Sequence, residues 1–312
     1  MKPGAHRAIL LAGAIAALLV SRSAPVVARV FQTGDRSEHD KAFWQAITKN
    51  EFVPPPPATV AQLAPELVTL LGSPDSELRD DLAATILTQW IYQKKLLGPD
   101  ELRTMAGRLT ANLREGIGQT GTDAVLRRSF SALLLSVIAA RNNETPFLSP
   151  GEIDGLLDAS LAYFRDERDV RGFDEQKGWM HSAAHTADLL KFLARSPTLV
   201  PAAQRRILDA VTDKLRQAPV AFAAGEDERI ARIPISIVRR DDVDREAFGS
   251  WLDSMARLAA FPEQPSVAAL RSMTNARHVL SALWTELSVD RRPSAGADFA
   301  RRALEERLGK LF

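Results

Sequence analysis

Cysteine is absent from the 312-residue chain. Disulfide staples, thiolate metal sites and a cysteine nucleophile are therefore excluded, and so is a lipid-bearing cysteine behind a leader segment. Strand signals are scarce as well: β-branched alternation between Asn-Gly or Asp-Gly turns is nearly missing. Neither sign of charge is in excess, because 40 Lys and Arg stand against 39 Asp and Glu. So neutral a chain lacks the basic surplus with which nucleic-acid binders displace counterions, and no nucleic-acid partner is expected. Gly-rich phosphate loops and the Gly-x-Ser-x-Gly elbow do not occur.

What is present begins at the N-terminus. Lys2, His6 and Arg7 form a short basic region, followed by the apolar run AILLAGAIAALLV from Ala8 to Val20. Small residues follow, and Val26-Val27-Ala28 or Ser21-Arg22-Ser23 fits a cleavage site. This is the three-part pattern of a secretory signal, and the run falls short of the roughly 20 residues a membrane span needs. No later segment is long and apolar enough to span. The expectation is an exported protein, periplasmic or secreted, with no membrane span once the signal is removed. Residues 1–28 read as the signal peptide and 29–58 as a leading helix with a proline-rich linker. Residues 59–312 read as one α-helical domain.

Leu, Ala, Arg and Glu dominate the remainder, and apolar residues recur at helical spacing. A leading helix is expected around His39–Thr48, before the stiff Pro54–Pro57 connector. Helical patterns then run over Glu77–Tyr92, Glu101–Arg114, Val125–Arg141, Ile153–Arg165, Trp179–Arg195, Ala202–Gln217, Asp227–Arg239, Arg245–Ala260, Ser266–Leu287 and Asp298–Leu311. Pro and Asp near several starts are helix-initiating marks. Short links imply antiparallel neighbours. The expected fold is all-α, an array of HEAT-like helical hairpins, with a compact irregular helical domain as the alternative. Trp44, Trp90, Trp251 and Trp284 lie among apolar residues and are expected in the core, whereas His39 and His278 read as ordinary surface or packing residues.

One stretch has the residue types that do chemistry. The charged loop Asp166–Lys177 (DERDVRGFDEQK) precedes a helix containing His181, His185 and Asp188. On a continuous helix the i, i+4, i+7 spacing sets these three side chains on one face of an otherwise apolar cylinder. Three readings stand open. Two histidines and a carboxylate can hold a divalent zinc, iron or manganese ion, with Asp166, Glu167, Asp169 or Asp174 adding ligands or a base. A histidine can serve as a metal-free general base. Or the three side chains can hydrogen-bond the Arg171-Gly172 loop and hold it in place. The zincin motif needs a Glu after its first His, where Ser182 stands here.

The segments LRRSFSALLLSVIAA, YFRDERDVRGFDEQKGWMHSAAHTADLL and GEDERIARIP resemble the bacterial family called domain of unknown function 2785. The resemblance runs from about Glu77 to about Arg257. It rests on an Arg-Ser-Phe-Ser segment and on an acidic-Arg-Gly loop before Gly-Trp-x-His-x-x-x-His-x-x-Asp. The matching positions are Arg128, Ser129, Arg171, Gly172, Gly178, Trp179, His181, His185 and Asp188. The resemblance implies a helical fold and names no reaction. The function expected is an exported binding or scaffold module with a protein or peptide partner. Its pocket, on a concave face, is expected to hold Arg128, Ser129, Asp166, Arg171, Asp174 and Trp179. The alternative is a metal-dependent hydrolase using His181, His185 and Asp188. No cofactor other than that metal is implied.

Overall fold

Helix after helix is set by local signals that can be read residue by residue. The computed structural model describes residues 38–309, apart from Arg291 and Pro293. The signal-like segment 1–28 and the first residues of 29–58 lie outside the described residues. Among the described residues twelve helices follow one another. They are α1 (Lys41–Lys49), α2 (Val60–Leu70), α3, α4 (Pro99–Asn112), α5 (Ala124–Glu144), α6 (Pro150–Asp166), α7 (Ser182–Ala194), α8 (Pro201–Gln217), α9 (Glu226–Val238), α10 (Arg245–Ala259), α11 (Val267–Val289) and α12 (Ala295–Leu308). Helix α3 is continuous through a π-helical Glu77–Ala84, an α-helical Thr85–Thr88 and a π-helical Gln89–Gln93. The fold is all-α; among the described residues the only strands are β1 (Phe173–Asp174) and β2 (Gly178–Trp179), paired antiparallel.

Caps explain most of the boundaries. Ser149 starts α6 with a full capping box, its hydroxyl accepting from Glu152 N while Glu152 accepts from Ser149 N. Asp40, Asp244, Ser266 and Ser294 accept from the third residue of α1, α10, α11 and α12. Pro sits in the first turn of α4, α6 and α8, where its missing N–H is harmless. The sequence reading has no helix between the proline run and Ser73, yet α2 forms there with a Thr59–Gln62 capping box and Pro65 in its interior.

Two rows of helices make the core. Helices α5, α7, α9 and α11 pack successively on one another, and α4, α6, α8, α10 and α12 do the same in a second row. Pairs such as α4 with α5, α6 with α7 and α10 with α11 join the rows. The composition of each helix matches its row. In α7 every residue from Ser182 to Leu190 is buried, which requires an apolar or paired side chain at every angle. Helix α8, in the other row, buries one face, with Ala203, Ile207, Leu208, Val211 and Leu215 as its apolar stripe beside Gln204, Thr212 and Lys214. Each fully buried Leu in such a row stabilises the fold by about 1.5–3 kcal/mol. Trp44, Trp90 and Trp251 belong to this core, but Trp284 is 40 % exposed on α11, because the helical spacing places it on the outward face. No helix among the described residues is long and apolar enough to cross a membrane.

Candidate functional site

The charged loop after α6 forms a clasp. Its chain leaves α6 at Asp166, makes the β1–β2 hairpin and turns sharply into α7. Asp174 accepts from Gln176 N and Lys177 N at 2.9 Å each and so closes the hairpin turn. Gly178 follows with φ +73°, and a Cβ there would stand 3.0 Å from Ser76 Cβ. From the other side Arg79, fully buried on α3, donates to Lys177 O (2.6 Å) and Trp179 O (3.2 Å). Gly172 O then accepts from both Met180 N (2.9 Å) and His181 N (3.3 Å).

This geometry corrects the expected helix start. Residues 179–181 are not helical: Trp179 is in β2, and His181 has the left-handed φ of 48° at the N-cap of α7. A non-glycine residue there carries roughly 1–3 kcal/mol of strain and persists only where its surroundings impose it. The two N–H bonds to Gly172 O are what impose it. His181 therefore leaves the helical face that the sequence spacing assigns to it, and only His185 and Asp188 share one.

Each member of the stripe has its own partner. His181 donates from Nε2 to Ala224 O at 2.9 Å and stacks on Trp179 with ring centroids 4.2 Å apart. His185 places Nδ1 2.9 Å from Ser129 Oγ, inside the core against the edge of Phe130. The Ser129 hydroxyl donates to Met180 O, so its lone pair must accept from His185, and Nδ1 carries the proton. Burial, and then the neighbouring His181, pushes the His185 imidazole down to about 3. Burial lowers His181 too, against the opposing hydrogen bond to Ala224. Burial would raise the Asp188 carboxyl, but Lys191 (2.7 Å) and Arg229 outweigh it and hold it below the ordinary carboxylate range.

The chemistry open to this arrangement follows from those partners. Among the described residues no group of three or more His, Asp and Glu side chains is placed to hold a metal ion. Ser129 and His185 form a pair that is fully packed, with the serine proton committed to a carbonyl and an imidazole too weakly basic to remove it near neutral pH. The side chains of the stripe do not hold the Arg171-Gly172 loop, as one reading expects. That loop is held by the backbone of Met180 and His181 and by Ser182 Oγ, which donates to Asp169 O at 2.6 Å.

Beneath the clasp lies a buried charge network. Arg128 grips Glu167 with one edge, Nε to Oε2 at 2.6 Å and Nη2 to Oε1 at 3.1 Å. Its Nη1 donates to Glu115 O and Gly116 O, so the guanidinium is satisfied on every side. Glu167 Oε1 also accepts from Asp169 N at 2.9 Å. Asp169 is held in turn by Arg171 (2.7 and 2.6 Å) and by Gly121 N (2.9 Å). Lys214 reaches in from α8 to Glu167 O at 2.8 Å, and burial pushes its ammonium down to about 8.

A cleft of about 720 Å³ opens above this network. One wall is Arg168–Phe173, another is Pro219–Ala224, and Thr120 and Gly121 close an end. The Pro219–Ala224 segment is irregular chain whose middle alternates in burial. Ala221 and Ala223 are exposed and Phe222 between them is buried, the period of two of extended chain. Fully buried Asn275 of α11 grips the inner edge, accepting from Phe222 N (2.8 Å) and donating to Val220 O (3.0 Å). Ala224 is fixed by His181 and by Glu226, whose carboxylate accepts from Ala224 N at 2.8 Å. The backbone groups of Ala221 and Ala223 make no hydrogen bond among the described residues, and both residues line the cleft. Gly172 makes the close approach of the walls possible, since a Cβ there would meet Ala224 Cβ at 2.5 Å and Glu226 Oε1 at 2.8 Å.

The sequence-predicted pocket residues are thus divided. Arg171 lines the cleft. Trp179 is partly exposed beside Phe173, with ring centroids 4.8 Å apart. Arg128 and Ser129 are buried below, Asp174 serves the hairpin turn, and Asp166 pairs with Arg165 on the exterior. The sequence reading missed Ala221, Phe222, Ala223 and Asn275. The one signal for them is a loop, PVAFAA, too apolar to be simply solvated. Residues 113–285, more than half of the chain, match the family described as "Protein of unknown function (DUF2785)". That stretch contains α5 to α10, most of α11 and every residue of the cleft. No curated protein and no solved structure matches the chain.

Proposed function

The chain belongs to the DUF2785 family, and we propose that it is a binding module that captures an extended segment of a protein or peptide partner in the cleft between Arg168–Phe173 and Pro219–Ala224. The observation that carries this reading is the unpaired outer edge of Ala221–Ala223, held rigid on its inner edge by Asn275 and His181. A peptide laid along that edge gains main-chain hydrogen bonds, as in strand addition. Arg168 on the facing wall favours acidic side chains, and Phe173 and Val220 favour apolar ones. The successive packing of the two helix rows supports a HEAT-like array as the scaffold.

The test is an array of short synthetic peptides probed with the purified protein, followed by fluorescence anisotropy on the peptides retained. Proline at Ala221 and Ala223 removes both edge donors without touching the core. The double variant is expected to keep its far-UV spectrum and melting temperature and to lose at least about tenfold in affinity, the scale of one to two main-chain hydrogen bonds. Retention no better than for scrambled peptides, or unchanged affinity in the proline variant, overturns the reading. We place the module outside the cytoplasm on the signal-like pattern of residues 1–28. Intact mass of the protein recovered from a bacterial host should begin near Ala24 or Arg29; a chain that begins at Met1 contradicts export with cleavage.

A further inference from the structure

The far end of α7 presents a second cleft, of about 610 Å³, with a different chemistry. Its lining includes Arg195, Ser236, Arg239, Arg240 and Arg292, opposed by Asp241 and Asp242. These guanidinium groups do not share one role. Arg240 donates to Ala194 O, Ser196 O and Leu199 O and pairs with Asp242, which caps the end of α7 and leaves it no free edge. Arg239 and Arg292 share the single carboxylate of Asp290. Arg195 has no carboxylate partner among the described residues.

Arg195 is the informative residue. A cation at a helix C-terminus is ordinarily explained by the helix dipole and the unsatisfied carbonyls. Here Arg240 takes the Ala194 carbonyl and the Arg195 side chain donates to no carbonyl of α7, so that contact does not account for Arg195. Its Nε donates to Ser236 Oγ at 2.9 Å, and its guanidinium carbon lies 5.2 Å from the centroid of Phe192. Ser236 is itself buried and anchored to Arg232 O at 2.9 Å. The guanidinium is therefore oriented, while Nη1 and Nη2 make no hydrogen bond among the described residues. Burial, Arg292 and Arg232 disfavour its protonated form against Asp188 and Glu286, and burial, Arg292 and Arg195 act on Arg239 in the same way against Glu286. Asp290 and Asp242 offset Arg239, Arg292 and Arg240, so the guanidinium that an added anion would serve is that of Arg195.

We infer that this cleft binds the phosphoryl oxyanion of a small molecule, gripped by the free edge of Arg195 and by Arg239. A doubly charged tetrahedral anion matches a planar fork plus a second guanidinium better than a single carboxylate does. The site stands apart from the peptide cleft, and its failure or success leaves that proposal untouched.

The experiment is isothermal titration of the full-length purified protein with inorganic phosphate and, separately, with glycerol 3-phosphate. Sodium chloride holds ionic strength constant. Saturable binding is expected. Arg195→Ala should weaken it by about tenfold or more, Arg195→Lys should fail to restore it, and Ser236→Ala should weaken it severalfold by releasing the fork. Arg205→Ala, on the exterior of α8, should change nothing. Tighter binding of glycerol 3-phosphate than of phosphate identifies a phosphomonoester, and equal binding identifies the free anion; either supports the site. Heat no different from chloride dilution, or binding undiminished in both folded Arg195 variants, overturns it. Circular dichroism confirms that the variants are folded.

Discussion

Taking this protein from pH 7 to pH 4 is expected to remove about 3 kcal/mol of stability through His185 alone. In the folded chain its imidazole is pushed down to about 3 by burial and by His181, against an ordinary value of 6.5. The native state therefore stays unprotonated where the unfolded state takes up a proton. A histidine lowered in this direction contributes its stability above pH 6.5, and that contribution drains away as pH falls toward 3. The slope approaches about 1.4 kcal/mol per pH unit below pH 6. His185→Asn keeps a donor near Ser129 Oγ and removes the titration. Urea unfolding at a series of pH values should show wild type losing that slope relative to the variant. Parallel pH profiles for the two proteins would refute a neutral, buried His185. Lowering of His181 acts in the same direction, and the comparison with the Asn variant separates the two.

Arg128→Ala is expected to destabilise the fold by about 3–5 kcal/mol, the cost of leaving one partner of a buried ion pair behind. Total stabilities of domains run to about 5–15 kcal/mol, so the variant should melt far below wild type or be partly unfolded at room temperature. The loss is large because three sets of groups depend on one side chain. Glu167 loses both bonds from Arg128, and the carbonyls of Glu115 and Gly116 lose their donor. Glu167→Gln retains an acceptor for Asp169 N but strands the Arg128 cation. Joining it to Arg128→Met removes that cation. The double variant should consequently be less destabilised than the sum of the singles by more than about 1 kcal/mol, measured by denaturant unfolding in a double-mutant cycle. Strict additivity would mean that the pair is not the coupled unit its geometry describes.

The Arg128 network lies beneath the cleft, and this links stability to the site. Glu167 fixes Asp169, Asp169 fixes Arg171 and Gly121, and His181 fixes Ala224 on the opposite wall. A cleft walled by irregular backbone needs such support, because loops lack the internal hydrogen bonds that stiffen helices. The strained His181 is part of the same construction: its left-handed turn brings its ring to Ala224 O while its N–H stays on Gly172 O.

What the sequence by itself determined is everything encoded within a few residues. Helix starts at Ser149, Asp244 and Ser266 follow from side-chain oxygens reaching the third backbone N–H, an interaction complete within one turn. The deep burial of α7 follows from a helix apolar at almost every angle, and that burial is also why its histidines stay neutral. The resemblance carried by Arg128, Gly172, Gly178 and the His181–Asp188 stretch lies within residues 113–285, which match the family. What only the tertiary structure decided is the meeting of distant segments. Residues near 120, 170, 220 and 275 converge on one cleft, and no periodicity within any of them specifies the others. The start of α7 shows the same limit at short range. Helical spacing puts His181 on the face of His185 and Asp188, but Gly172 O takes two N–H groups and turns the chain before the helix begins. A tertiary hydrogen bond outweighs local periodicity there because it satisfies buried donors that a longer helix would leave without partners.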